Sequence, residues 1–177
     1  MKIIKTPLKG LLVLKGKRFA DKRGYFRELM IEKLLKQKFI FNVASLSKKN
    51  VIRGLHFQEK KSQAKLISVV KGKIVDVAVD IRKKSSTFGK HFKVILSDKN
   101  CTSFYIPKGF AHGFGGLEKE NIVVYSCTNY RQKKSERGII WNDKDLKIRW
   151  GIKKPITSLK DKKNITFKQY KKKGNRA

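Results

Sequence analysis

Three segments of this chain place reactive polar side chains inside otherwise strand-like sequence. The first is Asn50–Gln58, reading Asn-Val-Ile-Arg-Gly-Leu-His-Phe-Gln. Strand alternation puts Gly54, His56 and Gln58 on one face and Arg53, Leu55 and Phe57 on the other. A glycine at 54 can distort that alternation, so Arg53 stays available to the cavity His56 would face. The second is Ile106–Phe114, a Pro-Lys-Gly turn followed by His112 between aromatic residues. The third is Ile122–Tyr130, where Val123, Tyr125 and Cys127 share a strand face. Histidine is the side chain that titrates near neutral pH, so His56 and His112 are candidates for acid–base work. Each has a plainer reading. A lone strand histidine is more often a hydrogen-bonded core residue, and a lone strand tyrosine a core aromatic with its hydroxyl bonded.

The elements that must carry these groups are mostly strands. In Lys73–Asp80, Val75, Val77 and Val79 fall on one face and Ile74, Asp76 and Ala78 on the other. Similar runs occur at Val51–Phe57, Ala64–Val70, His91–Leu96, Thr102–Ile106 and Asn121–Thr128, separated by Gly72, Ser85-Ser86, Asp98–Asn100 and Pro107–Gly109. Many short strands at near-even spacing predict an all-β sandwich or barrel, a jelly roll. One short amphipathic helix is expected between Ile31 and Phe39, from Leu34, Leu35 and Phe39 among Lys and Glu. No repeat or Gly/Ser/Pro-rich linker divides the chain. The expectation is one domain over residues 1–161, then a basic tail over 162–177 whose end, including Lys171–Lys173, is mobile.

Charge is the unusual feature of the composition. Lys and Arg number 45 against 13 Asp and Glu, a net charge of +32. Such a field attracts polyanions, anionic lipid surfaces and phosphorylated metabolites without choosing among them. The lysines run along the whole chain, as at Lys83-Lys84, Lys133-Lys134 and Lys153-Lys154, which reads as compositional bias rather than a nucleic-acid footprint. No helix-turn-helix, zinc-finger or RNP-type pattern accompanies it. The two cysteines, Cys101 and Cys127, have no zinc-type spacing and read as reduced, partly buried thiols. Lys residues and Pro7 interrupt the first residues before any apolar run develops, and no stretch is long enough to cross a bilayer. The expectation is a soluble cytoplasmic protein without nucleic-acid or membrane partners.

Taken together, the motifs resemble the signature of the dTDP-4-dehydrorhamnose 3,5-epimerases. The matching segments are Asp21–Glu28, Arg53–Gln58, Gly72–Arg82, Ser85–Gly89, Ile106–Phe114, Tyr125–Tyr130, Gly138–Asp143 and Ser158–Asp161. They run in order through nearly the whole domain. The resemblance implies a cupin jelly roll acting as a homodimer, without cofactor or metal, on a nucleoside-diphosphate sugar. Its reaction inverts C3 and C5 of a 4-keto-6-deoxy sugar, as in L-rhamnose-type nucleotide-sugar synthesis. A metal-binding cupin needs several His or carboxylate ligands clustered on neighbouring strands, and here Phe57 and Gln58 follow His56 where a second ligand histidine would be expected.

By position in those motifs, His56 is implied as base, Asp161 as its orienting carboxylate, Tyr125 as proton donor to the opposite face and Lys65 as the cation beside the enolate oxygen. Arg23, Glu28, Arg53, His112, Glu136 and Lys160 are implied in substrate binding, with Phe26 and Tyr130 available to stack on the base. One departure stands out. The family's Gln-x-Asn-x-Ser pattern is here Val43-Ala-Ser-Leu-Ser47, which keeps only the last serine. Catalysis is untouched by that change, whereas recognition of the nucleotide is not. A single-centre epimerase or ketoisomerase on another nucleotide-linked 4-keto sugar is the alternative within the same class. A sugar-binding cupin without turnover is disfavoured by the intact His56, Tyr125 and Lys65.

Overall fold

The computed structural model describes residues 1–173, and most of them are in strands. In chain order the first elements are β1 (Lys2–Lys5), β2 (Leu12–Lys15), β3 (Arg18–Asp21), β4 (Gly24–Arg27), α1 (Glu32–Leu35), β5 (Phe41–Lys48) and β6 (Ile52–Gln58). Then come β7 (Lys65–Lys71), β8 (Lys73–Asp80), β9 (His91–Ser97), β10 (Thr102–Ile106), β11 (Phe110–Gly116), β12 (Glu120–Cys127) and β13 (Glu136–Gly138). The helices α2 (Leu159–Lys162) and α3 (Phe167–Lys172) complete the described chain. One antiparallel sheet has the order β1-β2-β10-β7-β12-β5, the other β13-β6-β11-β8-β9, and β3 with β4 forms a separate hairpin. This is the expected all-β jelly-roll sandwich with a few short helices.

Alternation along β8 explains how the layers stack. Ile74 and Ala78 pack inward with Ile67, Val69, Phe104, Phe114 and Val123, the core between the two sheets. Val75, Val77 and Val79 point the other way, into a second core with Leu55, Phe57, Ile139, Leu146, Trp150 and Phe167. Each fully buried Val, Ile or Phe contributes roughly 1.5–3 kcal/mol of transfer free energy, so β8 is held from both sides. A smaller cluster of Leu14, Ala64, Leu66 and Tyr105 takes in Leu35 and Phe39.

The short helix expected between Ile31 and Phe39 is present as one turn, Glu32–Leu35, ended by Lys36, which adopts a left-handed conformation with φ 48°. Leu35 and Phe39 pack on the cluster around Leu66. One expectation needs correction: the segment after Asp161 is not only a basic tail. α3 begins with a capping box between Thr166 and Gln169, Phe167 is buried, and the Tyr170 hydroxyl donates to the Ile81 carbonyl at 3.1 Å. Lys171 and Lys172 are therefore helical; the remainder of the expected mobile end, past Lys173, lies outside the described residues.

The loop after β8 is organised by Asp80, whose buried carboxylate accepts from Arg82 Nε (2.8 Å), Arg82 Nη2 (2.7 Å), Ser85 Oγ (2.6 Å) and Thr87 Oγ1 (2.6 Å). Burial alone would raise this carboxyl, but these bonds, that of Arg82 foremost, outweigh it and hold the group well below the usual carboxylate range. A depressed folded-state value contributes stability that is full above the unfolded value near 3.8 and is lost as pH falls through the folded value. Urea unfolding free energies should therefore decline on acidification below about pH 4, with a shallower decline in Asp80→Asn. An Asp80→Asn slope equal to that of the parent chain would contradict this assignment.

Candidate active site

A cavity of about 780 Å³ opens between the two sheets. From one sheet, β6 contributes Arg53 and His56 and β11 contributes His112 and Phe114; from the facing sheet come Val43 and Ser45 of β5, Lys65 of β7, and Tyr125 and Cys127 of β12. Glu136, at the start of β13, and Lys160 and Asp161 of α2 close the rim with Arg131 and Arg137.

Arg53 and His56 share this wall because strand alternation slips at Gly54. Ile52, Leu55 and Phe57 all face the second core, leaving residues 53 and 56 for the cavity. Gly54 takes φ +143°, and a Cβ there would stand 2.6 Å from the Gly113 Cα on β11, where the pairing register also shifts. Only glycine combines that φ with that approach. Arg53 is then anchored by donating to Ser47 Oγ (2.9 Å) and the Leu46 carbonyl (3.2 Å). Ser47, the retained residue of the altered Gln-x-Asn-x-Ser pattern, thus holds a cavity arginine.

His56 and Asp161 form a close pair, with His56 Nε2 2.6 Å from Asp161 Oδ1. The carboxylate is 5% exposed and the imidazole 41%. Burial would raise the Asp161 carboxyl; the bond and charge of His56, the Gly54 amide and Ser158 together carry it below its ordinary value. An ionised Asp161 accepts, so the Nε2–H of His56 donates to it and fixes the orientation of the ring. Asp161 is delivered by α2, whose N-cap Ser158 accepts from the Asp161 amide at 3.0 Å.

Across the cavity, Tyr125 packs edge-on to His112 at 6.1 Å between ring centroids, and its hydroxyl lies 3.5 Å from Ser45 Oγ. Burial pushes the phenol well above its usual value, with Ser45 and Arg53 opposing weakly. Lys65 pairs in register with Cys127. Burial draws its ammonium below the usual lysine range, while Cys127, Asp76 and Glu136 pull the other way. The same burial raises the Cys127 thiol. At the rim, Glu136 accepts from Arg131 Nε (2.5 Å) and Lys160 Nζ (3.0 Å), and these bonds, that of Arg131 first, lower its carboxyl to about 2.

Eight of the ten residues singled out from sequence therefore meet at this cavity: His56, Tyr125, Asp161, Lys65, Arg53, His112, Glu136 and Lys160. Arg23 and Glu28 do not. Arg23 sits at the β3–β4 turn, exposed and paired with Asp21; Glu28 follows β4 and is also exposed. Phe26 and Tyr130 are likewise exposed and outside the cavity lining, Phe26 against Phe19 and Tyr130 edge-on to Phe41.

Sequence reasoning passed over Asp76, Arg131 and Arg137. Asp76 is fully buried, 2.8 Å from His112 Nε2, and its second oxygen has no hydrogen-bond partner. Burial pushes this carboxyl up, with the charge and bond of His112 and then Lys65 opposing. In the sequence it stands only as a carboxylate between Ile74 and Ala78 on one face of a strand, with nothing local to name its partner. Among the described residues, no cluster of three His, Cys, Asp or Glu side chains is arranged to hold a metal ion. No helix of the described chain is long and apolar enough to cross a membrane.

A family model described as dTDP-4-dehydrorhamnose 3,5-epimerase matches residues 5–169. The dTDP-4-dehydrorhamnose 3,5-epimerase of Shigella flexneri is 44% identical over 168 residues, covering 91% of this chain and 93% of the relative. The crystal structure of dTDP-4-dehydrorhamnose 3,5-epimerase from Elizabethkingia anophelis NUHP1 has a TM-score of 0.88 at 42% identity, covering 96% of this chain and 97% of that one. The dTDP-6-deoxy-D-glucose-3,5-epimerase of Legionella pneumophila Philadelphia 1, solved in complex with dTDP-4-keto-L-rhamnose, has a TM-score of 0.89 at 41% identity, covering 93% and 92%.

Proposed function

Because the chain belongs to the dTDP-4-dehydrorhamnose 3,5-epimerase family and is an isomerase acting on sugar nucleotides, we propose that it inverts C3 and C5 of a nucleoside-diphosphate 4-keto-6-deoxy sugar through His56, Tyr125 and Lys65. The observation that carries this reading is the opposition of His56, backed by Asp161, to Tyr125 on the facing sheet.

Both carbons flank the C4 ketone, so loss of either C–H proton gives an enolate. His56 takes the proton on one face through the ring nitrogen not bonded to Asp161, and electrons from the C–H bond move to the ketone oxygen. Lys65, a cation in a desolvated pocket, offsets the charge that develops there. Tyr125 then gives its phenolic proton to the carbon from the other face. The carbon is inverted, and proton exchange with solvent restores His56 and Tyr125. Burial raises the Tyr125 phenol above its usual value, so the group carries a proton to give.

Arg53, Arg131, Arg137 and Lys160 surround the cavity with donors suited to a pyrophosphate, Arg in forked geometry. The reading includes a homodimer. Phe19, Tyr25 and Phe26 on the β3–β4 hairpin and Leu46 on β5 are exposed apolar surface that a second copy would cover. Arg23 and Glu28 would then meet substrate in the cavity of that second copy.

Val43 and Ser45 offer no side-chain amide to a nucleotide base, so the base is the least specified part of the substrate. The test is product analysis by NMR with dTDP-, GDP- and CDP-linked 4-keto-6-deoxy sugars. Inversion at both carbons of at least one of them is expected. A product inverted at one centre would convert the reading to a single-centre epimerase, a moved carbonyl to a ketoisomerase, and no product from any would overturn it. Lys65→Met is expected to lower kcat about 10²-fold with little change in substrate affinity; an unchanged kcat would remove Lys65 from the enolate site.

A further inference from the structure

Two of the motifs that carry the resemblance, Ser85–Gly89 and Gly138–Asp143, supply no lining residue to the cavity, yet both converge on the segment of chain that carries and follows Asp161. On its N-terminal side that segment is pinned to the start of β6. The Ile52 amide donates to the Ile156 carbonyl, and the Ile156 amide to the Asn50 carbonyl, each at 2.9 Å. On its C-terminal side Ile165 bridges to Ile139, with the Ile140 amide donating to the Ile165 carbonyl at 2.9 Å. Helix α2, with Asp161 on it, is strung between these attachments.

Immediately beyond the second attachment stands Asp143. This side chain is buried, and its Oδ2 accepts from the Phe167 amide at 2.8 Å, across 24 residues of sequence. Its Oδ1 accepts from the Asp145 and Leu146 amides at 3.0 and 3.1 Å, tying it to its own turn. The ring of Phe167 lies against Phe88, with centroids 5.2 Å apart, and over Gly89, where a Cβ would come within 2.9 Å of the ring. Gly89 also has φ +79°, so both the turn and the ring seat require glycine. A hydrogen bond to a buried carboxylate is stronger than one between neutral groups, and this one fixes where α3 starts. From there Asn164 reaches back, its Nδ2 3.5 Å from Asp161 Oδ1.

We propose that Asp143 is a positioning residue for the reaction: by holding the Phe167 amide, it sets the distance between Asp161 and His56. The inference rests on His56 acting as base. A carboxylate displaced from the imidazole no longer fixes the tautomer, and displacement on the ångström scale costs up to about 10²-fold in rate.

Asp143→Asn is the test, because the substituted side chain keeps a carbonyl oxygen to accept from the 145–146 turn while its amide nitrogen faces the Phe167 N–H. The expected result is a kcat lowered about 10- to 100-fold with KM unchanged. The short His56–Asp161 bond should give a downfield ring N–H resonance in the parent chain that Asp161→Asn abolishes, and in Asp143→Asn this resonance should shift upfield or broaden. A protein that has only lost stability would keep that resonance and its kcat well below its melting temperature. A folded Asp143→Asn with parental kcat and an unmoved His56 resonance overturns the proposal. Should Asp143→Asn not fold, Asp143→Ser, whose single hydroxyl oxygen can accept from the 145–146 turn but not also from the Phe167 amide, carries the test: a lowered kcat with a shifted resonance supports the proposal and parental values overturn it. If the parent chain turns over no sugar nucleotide, the functional reading has failed, and the His56 resonance still decides whether Asp143 sets the pair.

Discussion

Replacing His56 by asparagine is expected to abolish proton exchange at both C3 and C5, leaving substrate binding nearly intact. Asparagine keeps a donor for Asp161 but has no nitrogen able to accept a proton. General base catalysis is worth about 10²–10⁴-fold, and the loss should fall on kcat. The carboxylate behind His56 is 5% exposed and 2.6 Å from the ring, so it would stay buried in the variant and keep α2 in place if the shorter amide reaches it. Solvent deuterium entering either carbon at the parental rate in His56→Asn would show that another group removes the proton. Binding can be read separately by calorimetry with the nucleoside diphosphate alone, for which His56→Asn should match the parent.

Tyr125→Phe should separate two events that His56→Asn stops together. Removing the phenol leaves His56 able to take a proton and to return a deuteron to the same face. Exchange without inversion is therefore expected at the carbons His56 reaches, while epimerised product falls about 10²–10⁴-fold. The ring itself packs against His112 and Phe114, so phenylalanine preserves the wall and loses only the hydroxyl near Ser45. Parental yields of inverted product in Tyr125→Phe would assign the proton delivery elsewhere, and loss of exchange along with inversion would mean that the phenol also assists the first step.

Much of this was legible in the sequence because strand periodicity is a strict rule. Val75, Val77 and Val79 fall on one face of β8 and Ile74 and Ala78 on the other, as expected, and both faces are buried. Tyr125 and Cys127 line the cavity together for the same reason. Periodicity failed where the backbone departs from regular pairing. At Gly54 the alternation slips and Arg53 joins His56, an event a glycine permits but does not announce. Asp76 was hidden differently. An inward carboxylate reads as an anomaly of one strand until β11 brings His112 beside it.

The end of the chain misled for a related reason. Its lysines look like a solvated tail, yet one apolar residue, Phe167, and a cap at Thr166 are enough to fix a six-residue helix once Gly89 and Asp143 provide the seat. Those partners lie far away in sequence, where no local pattern can indicate them. Arg23 and Glu28 show the limit of motif matching itself. Both stand in segments that match the motifs, yet in this chain they are exposed at the β3–β4 turn and just after β4, outside the cavity lining.

The claim at the centre of this account is enolate formation on both sides of the C4 ketone, and solvent deuterium reads it directly. The parent protein, incubated in deuterated water with dTDP-, GDP- and CDP-linked 4-keto-6-deoxy sugars and followed by NMR, should place deuterium at C3 and at C5 of at least one of them with both centres inverted. Inverted product that retains its original hydrogen at either carbon, or every one of these substrates recovered without deuterium, would contradict it.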